Sequence, residues 1–314
     1  MSKIPVIIDC DPGHDDFIAL ALALASDKLD VKGIVTVAGN QTLEKVTVNA
    51  LKAVELMGRT DVPVVAGSAK PMRKAHVPVP HVHGESGLDG PSLPDPTTEV
   101  LDKNFVDFYA DILRESSEKV TILAVGPLTN IATLFYCHPE LVEKVAAINV
   151  MGGANRAVDF KDYPCKGAEF NIWQDAESAH YVFDLDVPVT MFGLDMTYQT
   201  CVTPAEFERF AAEGGKVGKV VSELLAFFYR CQEKNGMKAC PIHDACPVAY
   251  TIAPELFQVE HRDITVEYEG EHTYGFTYVD MRVYKEPSKK NYWCVSTDRD
   301  AFVEMLIKAC KSYD

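Results

Sequence analysis

The sequence predicts an α/β fold: an open, doubly wound and mostly parallel sheet with helices on both faces and an antiparallel extension near the C-terminus. Two observations favour this fold. Apolar runs of strand length alternate with segments of helical period up to residue 203, which is typical of parallel strands joined by helices. Near the C-terminus, the apolar runs 264–268, 274–283 and 292–297 follow one another without helices between them. This second pattern indicates antiparallel strands that extend the sheet.

The first predicted strand ends in a cluster of acids. The apolar run Val6–Ile8 leads into a turn at Pro12 and Gly13, and an apolar helical segment over 17–25 follows. The acids of this stretch are Asp9, Asp11, Asp15 and Asp16. Because like charges at close range repel, such a cluster must hold extra protons, face water or bind a cation. All the donors are oxygens, which favours a hard divalent metal over zinc.

A simpler interpretation covers part of this cluster. Asp15 or Asp16 could serve only as a cap or a first-turn acid, where the helix dipole stabilises a negative charge. That role would leave Asp9 and Asp11 unexplained, so a metal or acid-base site is the favoured interpretation.

The remaining elements follow in order and predict a single domain over residues 1–314, since no linker divides the chain. Further parallel strands are predicted at 31–39, 62–66, 120–126, 147–151 and 187–194. Helices are predicted at 42–57, at 100–116, from 127, from 175, between 203 and 236, before 250 and at 300–310.

Two long irregular segments interrupt this alternation, at 68–96 and 154–168. The first is rich in proline, and a long loop in a compact domain usually carries function. It contains His81 and His83, which could be metal ligands. Two histidines are an incomplete metal site, however, so surface or hydrogen-bonding roles are the alternative.

Composition and charge narrow the possible partners. The net charge of −16 and the lack of a basic stretch argue against nucleic acid and anionic membranes. Neither a membrane-spanning run nor a targeting segment is expected. The nine cysteines are scattered and odd in number, which is typical of reduced thiols in a cytoplasmic protein. A small neutral or metal-assisted substrate fits these properties better than a macromolecule.

Several short motifs, spread over almost the entire chain, resemble those of the inosine-uridine nucleoside hydrolases. They are Asp9–Asp16, Gly39–Thr42, His83–Gly87, Gly126–Asn130, Met151–Gly153, Glu169–Asn171, Gly193–Asp195, His243–Asp244 and Val279–Asp280. The resemblance implies the nucleoside hydrolase fold, and hydrolysis of the N-glycosidic bond of ribonucleosides to ribose and free base. It also implies one calcium ion per chain and a homo-oligomer, either a tetramer or a dimer.

The resemblance also implies roles for individual residues. Calcium would be held by Asp11, Asp16, the backbone carbonyl of Val125 and Asp244, with two ribose hydroxyls and a water. The substrate would be bound by Asp15, Asn40, His83, Glu169 and Asn171, with Glu169 near the 5′ end. Asp9 would be a supporting acid beneath the metal.

The expected chemistry uses these groups in two ways. An oxocarbenium-like sugar requires an activated water and stabilised positive charge. Asp11 is therefore the expected general base for a metal-bound water. His243 would assist the departing base, or it would instead only orient its neighbour Asp244. His83 and His243 slightly favour pyrimidine nucleosides such as uridine or cytidine.

The chain departs from the family pattern at two places. In the segment 162–167, an asparagine that usually contacts the 5′ hydroxyl is missing. In the segment 227–233, expected near the base, Cys231 occupies the position where purine-tolerant relatives have a tyrosine. Recognition of the 5′ hydroxyl and base preference therefore stay open at this point.

Two other classes of protein remain to be distinguished. Haloacid-dehalogenase-like phosphohydrolases also place an Asp-x-Asp after the first strand, but the Pro12–Asp16 segment fits them poorly. A non-enzymatic nucleoside sensor of the same fold is the second alternative. Release of ribose, release of phosphate, or neither would separate the three.

Overall fold

The computed structural model describes residues 2–156, 164–165 and 167–314. The strands of this part of the chain are β1 (Ile4–Cys10), β2 (Leu29–Thr36), β3 (Val64–Ala66), β4 (Val120–Ala124), β5 (Val145–Met151), β6 (Val189–Phe192), β7 (Phe257–His261), β8 (Ile264–Val266), β9 (Thr277–Val279) and β10 (Asn291–Thr297).

The helices of the described residues include several of one or two turns. They are α1 (His14–Ala25), α2 (Leu43–Leu56), α3 (Pro80–His83), α4 (Phe105–Glu115), α5 (Thr129–Cys137), α6 (Phe170–Gln174), α7 (Ala176–Phe183), α8 (Leu194–Thr197), α9 (Pro204–Glu213), α10 (Gly215–Lys234), α11 (Ala245–Ile252) and α12 (Arg299–Lys311).

The central sheet confirms the predicted fold class. Eight strands lie in the order β3-β2-β1-β4-β5-β6-β10-β7, and all neighbouring pairs except β10 with β7 are parallel. From β1 the chain first proceeds to one side through β2 and β3, and then returns to continue on the other side with β4. The strand order thus reverses between β1 and β4. In open α/β sheets, this reversal opens a crevice at the carboxyl ends of the strands, where ligands bind.

Helices cover both faces of this sheet. Successive side chains of a strand point to opposite faces, so each central strand contributes to a core on either side. In β1, Val6 and Ile8 pack into the core under α1, α11 and α12, whereas Ile7 packs into the second core under α4, α5 and α7. All three side chains are completely buried. Burial on both faces explains why the strands are continuous apolar runs.

The C-terminal part of the prediction was wrong in its pairing. The runs around β8 and β9 were expected to extend the sheet, but these two strands pair with each other in a separate antiparallel hairpin. The third run, β10, does join the sheet, but it lies parallel to β6. The antiparallel edge strand is β7, which the sequence did not reveal. Because β10 occupies the open edge of β6, the hairpin packs instead against α7.

Element ends differ from prediction where a polar side chain caps a helix. α4 begins at Phe105 rather than at 100, because the Asn104 side chain accepts a hydrogen bond from the Val106 amide. β6 ends at Phe192, two residues early, and Asp195 lies within α8. The long loop 68–96 contains the single-turn helix α3.

Two expectations from the composition concern disulfides and membrane-spanning helices. All nine cysteines lie in the described ranges, none is in a disulfide, and six are buried. None of the helices in the described ranges combines the length and apolar character needed to cross a bilayer.

Candidate active site

Asp11 lies just beyond the carboxyl end of β1, at the reversal of strand order. Its side chain is fully buried, and its Oδ2 accepts a 2.7 Å hydrogen bond from the Asn40 amide after β2. Its Oδ1 has no hydrogen-bond partner among the described residues. A Cβ at Gly39 or Gly126 would lie 2.1 Å or 2.7 Å from the two carboxylate oxygens. Glycines after β2 and β4 therefore make the space that this carboxylate occupies.

Asp16 combines two roles. From the first turn of α1, its carboxylate accepts hydrogen bonds from the amides of Asp11 (3.1 Å) and Gly13 (3.0 Å), which fixes the turn between β1 and α1. The capping role considered for it is therefore present. One of its oxygens also lies within 4.8 Å of carboxylate oxygens of Asp15 and Asp244. Capping and participation in an acidic cluster are thus compatible.

The three buried acids Asp15, Asp16 and Asp244 come from the starts of two helices, α1 and α11. Burial raises the pKa of Asp15 to about 7, and the neighbouring charge of Asp16 adds to this effect. Burial also raises the pKa of Asp11 and Asp244 well above the usual range, again with repulsion from the other acids. Such a group is stable only if it holds protons or a cation.

A hard cation fits these residues. The donors are carboxylate and carbonyl oxygens, Asp11 has an unpartnered buried oxygen, and the acids are close enough to share one ion. The trio that the structure brings together contains Asp15, which the sequence placed at the ribose, and Asp11 lies beside it. The carbonyl of Val125, after β4, accepts a 3.0 Å hydrogen bond from the Asn171 side chain.

Asp9 lies beneath this cluster, within β1. Its Oδ2 accepts hydrogen bonds from the Tyr109 hydroxyl at 2.5 Å and from the Asn130 side chain at 2.9 Å. Burial raises the pKa of Asp9 to about 7, against the opposing effect of these two donors. Asp9 is fully buried and does not line the pocket, and its role as a supporting acid stays a prediction.

Asp15 and Asp244 line a pocket of about 680 Å³, including its open mouth, and form its acidic floor together with the buried Asp11 and Asp16. Eight of the eleven predicted site residues line it: Asp15, Asn40, His83, Val125, Glu169, Asn171, His243 and Asp244. Asp9, Asp11 and Asp16 are not among its lining residues and are fully buried.

Two amide side chains connect the floor to the pocket. Asn40 Nδ2 donates to the Asp11 carbonyl at 3.2 Å and to Asp16 Oδ2 at 3.3 Å. Asn171 Nδ2 donates to the carbonyls of Val125 and Met151 at 3.0 Å and 3.2 Å. Both side chains are therefore oriented by their amide nitrogens.

Glu169 accepts more hydrogen bonds from the protein than the sequence indicated. It caps α6, and its two oxygens accept from the amides of Asn171 (2.9 Å), Ile172 (3.1 Å) and Gly153 (3.0 Å). Each carboxylate oxygen can accept more than one hydrogen bond, so a hydroxyl group can still be bound.

The segment 162–167, where the sequence departs from the family pattern, is described only in part. Residues 162, 163 and 166 lie outside the described residues, and Cys165 lines the pocket.

His243 lines the same pocket and immediately precedes Asp244 in the chain. Its Nδ1 is 2.7 Å from the Thr197 hydroxyl on α8. Surrounding protein desolvates the ring and lowers the pKa of His243 to about 3, so the ring is neutral near pH 7. A hydroxyl can donate or accept, so this contact permits either neutral tautomer of His243.

His83 ends α3 and is 5% exposed. Its Nδ1 faces the ring of His14 at 2.9 Å, and Phe228 stacks on both rings. Burial lowers the pKa of His83 well below its usual range. Of the two roles considered for this loop, hydrogen bonding is the one present, and the ring also faces the pocket.

Sequence reasoning missed several pocket residues. His14 lies in the opening motif but received no role, and Gln232 and Tyr198 line the pocket without having been singled out. Phe228 and Gln232 do belong to the segment 227–233 that was expected near the base. Their spacing of four residues places them on one face of α10, and this periodicity was the available signal.

Comparisons with known proteins agree with this geometry. The family described as inosine-uridine preferring nucleoside hydrolase matches residues 6–304. A pyrimidine-specific ribonucleoside hydrolase, RihA, from Escherichia coli is 45% identical over 313 residues, which cover 99% of this chain and 99% of the relative.

Solved structures of similar fold include enzymes with a different stated preference. A purine-preferring ribonucleoside hydrolase from Gardnerella vaginalis has a TM-score of 0.90 and 29% identity, with 98% of each chain covered. A plant nucleoside hydrolase, PpNRh1, has a TM-score of 0.88 and 30% identity, with 98% of this chain and 99% of that chain covered.

Proposed function

This chain belongs to the inosine-uridine preferring nucleoside hydrolase family, and from that premise we propose that it hydrolyses pyrimidine ribonucleosides with the help of one calcium ion per chain. Its membership and its relatives make it an N-glycosyl hydrolase of ribonucleosides. The observation that carries the finer proposal is the buried acidic cluster, two of whose acids line the same pocket as two neutral histidines.

Calcium is the proposed ion because every available donor is an oxygen. Asp11, Asp16, Asp244 and the carbonyl of Val125 would hold it, and Asp15 is near enough to share the site. When bound, calcium supplies positive charge that anchors hydroxyl groups and acidifies a nearby water.

Asp11 is the proposed general base. Its Oδ2 is held by the Asn40 amide, while its Oδ1 has no partner in the described part of the chain. The fixed oxygen orients the carboxylate, and the other oxygen can take a proton from the attacking water.

The sugar is proposed to lie over the floor with its hydroxyls toward Asp15 and Asn171. Both residues line the pocket and are nearly buried. Carboxylates beside the ribose stabilise the positive charge that develops at the anomeric carbon when the bond to the base breaks. Asn40 contacts the sugar from beside Asp11, and Glu169 is proposed near the 5′ end.

The base leaves toward His243. With Nδ1 accepting from the Thr197 hydroxyl, the proton of the neutral ring is on Nε2. That nitrogen has no protein partner among the described residues, so its N–H can donate a hydrogen bond to the departing base and stabilise the negative charge that develops there. The alternative, that His243 only orients Asp244, is tested below.

The preference for pyrimidines rests on two points of support. The RihA relative is named as pyrimidine-specific at 45% identity. In the pocket, His83 and His243 offer polar contacts to the base, and Phe228, which stacks on His83, offers a stacking surface. The homo-oligomeric state and the cytoplasmic location stay predictions from the sequence.

One assay tests the proposal. Purified protein is incubated with uridine, inosine and a phosphate ester, with calcium or with a chelator, and ribose and phosphate are measured. We expect ribose from uridine in the presence of calcium, less from inosine, and no phosphate. Activity that survives exhaustive chelation would contradict the calcium proposal, and faster turnover of inosine would contradict the base preference.

A further inference from the structure

His14 and His83 form a buried pair that the proposed chemistry does not use. His14 opens α1 and is fully buried, with its ring stacked against Phe227, Phe228 and His83. Its Nε2 is 2.8 Å from the backbone carbonyl of Asp89, and its Nδ1 is 2.9 Å from Nδ1 of His83. Both ring nitrogens of His14 are therefore occupied by protein atoms.

The backbone carbonyl of Asp89, which His14 contacts, is held in place by the loop around it. The Asp89 carboxylate accepts hydrogen bonds from the amides of Glu85 and Ser86, both at 3.1 Å, and these close the turn after α3. Gly84 in this turn has φ of +80°, and a Cβ there would be 2.2 Å from the Asp89 side chain. The loop is thus built tightly around Asp89.

The contacts determine where the protons are. A carbonyl can only accept, so the Nε2 of His14 must carry the proton that lies between it and Asp89. Both ring nitrogens of His14 contact neutral groups, and an unpaired charge is costly to bury, so this fully buried ring is neutral. A neutral imidazole has one proton, so the Nδ1 of His14 is a bare acceptor. The 2.9 Å contact between the two Nδ1 atoms then requires the proton to be on Nδ1 of His83. The remaining nitrogen of His83, Nε2, is left without a proton.

One donor competes with this arrangement. The backbone amide of His14 is 3.3 Å from the same Nδ1 of His83, and it would favour a bare Nδ1 there. In that case two lone pairs would face each other at 2.9 Å between the rings. The shorter ring contact therefore decides the arrangement while the imidazole of His14 is present, and the amide would take over if that ring were lost.

We propose that His14 is a positioning residue that fixes the tautomer of His83, so that His83 presents Nε2 to the pocket as an acceptor for an N–H or O–H group of the nucleoside. Nε2 of His83 has no hydrogen-bond partner among the residues that the structure describes, and the ring lines the pocket. The contrast with His243 is direct. The Asp89 carbonyl fixes the proton of His14 and thereby leaves Nε2 of His83 an acceptor. The Thr197 hydroxyl on Nδ1 of His243 instead allows Nε2 of that ring to be a hydrogen-bond donor.

The assignment of a substrate contact rests on the proposed function, but the tautomer does not. We therefore test the tautomer by nitrogen-15 NMR of the histidine side chains in the calcium-loaded protein without substrate. The wild-type protein should show a protonated Nδ1 and an unprotonated Nε2 for His83. His76, whose Nε2 is 2.8 Å from the Gly39 carbonyl, is an internal reference that should show a protonated Nε2 in every variant.

Two substitutions separate the imidazole from its mere bulk. His14→Phe keeps a flat ring between the phenylalanines but removes the acceptor, so His83 should change to the Nε2-protonated tautomer. His14→Asn places a carbonyl oxygen where Nδ1 was, so His83 should keep the wild-type tautomer. Bound calcium, measured in each variant, should stay at the wild-type level because His14 contributes no oxygen.

Kinetics with uridine give a second readout. If Nε2 of His83 holds the substrate equally in the ground state and the transition state, His14→Phe should raise KM by roughly 10- to 100-fold with kcat little changed. His14→Asn should recover most of that loss. A general disturbance of the fold would instead lower kcat and calcium content in both variants.

Particular results would overturn the proposal. An Nε2-protonated His83 in the wild-type protein would do so even if no variant folds. An unchanged tautomer in folded His14→Phe would show that His14 does not set it. Absence of nucleoside hydrolysis with the expected tautomers would reject the proposed function alone and leave the positioning role intact.

Discussion

The two sides of the pocket respond to burial in opposite ways. The acidic floor consists of Asp15 and Asp244, which line the pocket, and of the buried Asp11 and Asp16 beside them. The histidine wall consists of His83 and His243, which line the pocket, and of the buried His14, which stacks on His83. Burial raises the pKa of the acids and lowers the pKa of the histidines, because in both cases the charged form loses its hydration.

This difference gives the two sides different requirements. Neutral histidines are satisfied by hydrogen bonds and aromatic neighbours, as His14 is by Asp89 and Phe228. Four acids in one place cannot be satisfied by the few donors that surround them, and they need protons or a cation. The floor therefore supplies what every nucleoside shares, ribose and positive charge, and the wall supplies contacts that depend on the base.

Replacing Asp11, the proposed general base, should have the largest effect. Asp11→Asn keeps the size of the side chain but cannot take a proton from water, and it also removes one proposed ligand charge. We expect a loss of roughly 10⁴-fold or more in kcat/KM, the upper end for acid-base catalysis because two roles are lost together. The loss should be the same for uridine, inosine and nitrophenyl riboside, measured with excess calcium.

A matched acid at the opposite edge of the sheet controls for charge. Asp30 lies near the start of β2 and is partly exposed, so Asp30→Asn should leave the kinetics unchanged. Asp16→Ala should remove the bound calcium as judged by elemental analysis. If Asp11→Asn affected only one leaving group, the division between floor and wall would be wrong.

The grip of the floor on the sugar predicts the next effect. If Asp15 and the cation hold the ribose hydroxyls, 2′-deoxyuridine leaves buried polar groups unpaired. A site built to bind a hydroxyl rejects the analogue that lacks it by roughly 10⁴-fold. The ratio of kcat/KM for uridine and deoxyuridine measures this discrimination, and similar values for the two substrates would show that the ribose lies elsewhere.

The wall should matter only for some leaving groups. His243→Ala removes the proposed hydrogen-bond donor to the departing base, and we expect natural nucleosides to react roughly 10² to 10⁴-fold more slowly. Nitrophenyl riboside should be hydrolysed almost as before, because nitrophenolate leaves without a proton. Measuring both substrates on one enzyme preparation gives the comparison its own control.

Equal losses on both substrates would change the assignment of His243. The residue would then act on the floor, by orienting Asp244, rather than on the base. Thr197→Val provides a milder version of the experiment, since it removes only the contact to Nδ1. It should reduce turnover of uridine in the same direction and leave nitrophenyl riboside unaffected.

The floor could be predicted from the sequence because its residues follow local rules. Asp11, Asp15 and Asp16 lie within one strand-turn-helix motif, and parallel strands bring Asn40 and Val125 to the same edge. The same alternation of strands and helices predicted the sheet. Asp244 is distant along the chain and was found through the resemblance rather than through periodicity.

The wall and the C-terminal strands could not be derived in this way. The contact between His14 and His83 joins residues 69 positions apart through a loop without hydrophobic period. The pairing of β10 with β6 depends on which sheet edge is open. The sequences of short strands such as β7 and β8 do not specify which strand they pair with. Long-range choices of this kind are settled by packing.

The smallest expected effect concerns what supports the floor from beneath. Tyr109 is fully buried and donates its hydroxyl proton to Asp9, whose other oxygen has no partner in the described part of the chain. Tyr109→Phe removes that donor and leaves the buried carboxylate with Asn130 only. Losing one partner of a buried hydrogen bond costs about 1–3 kcal/mol in the free energy of unfolding, which urea denaturation with excess calcium measures. Tyr136→Phe, on a side chain that is 56% exposed, should change this free energy by less than about 0.5 kcal/mol.

Because Asp9 touches neither the sugar nor the base, kcat/KM should fall alike for uridine and nitrophenyl riboside, if it falls at all. A loss confined to uridine would mean that the support also reaches the wall, and the two sides of the pocket would no longer be independent.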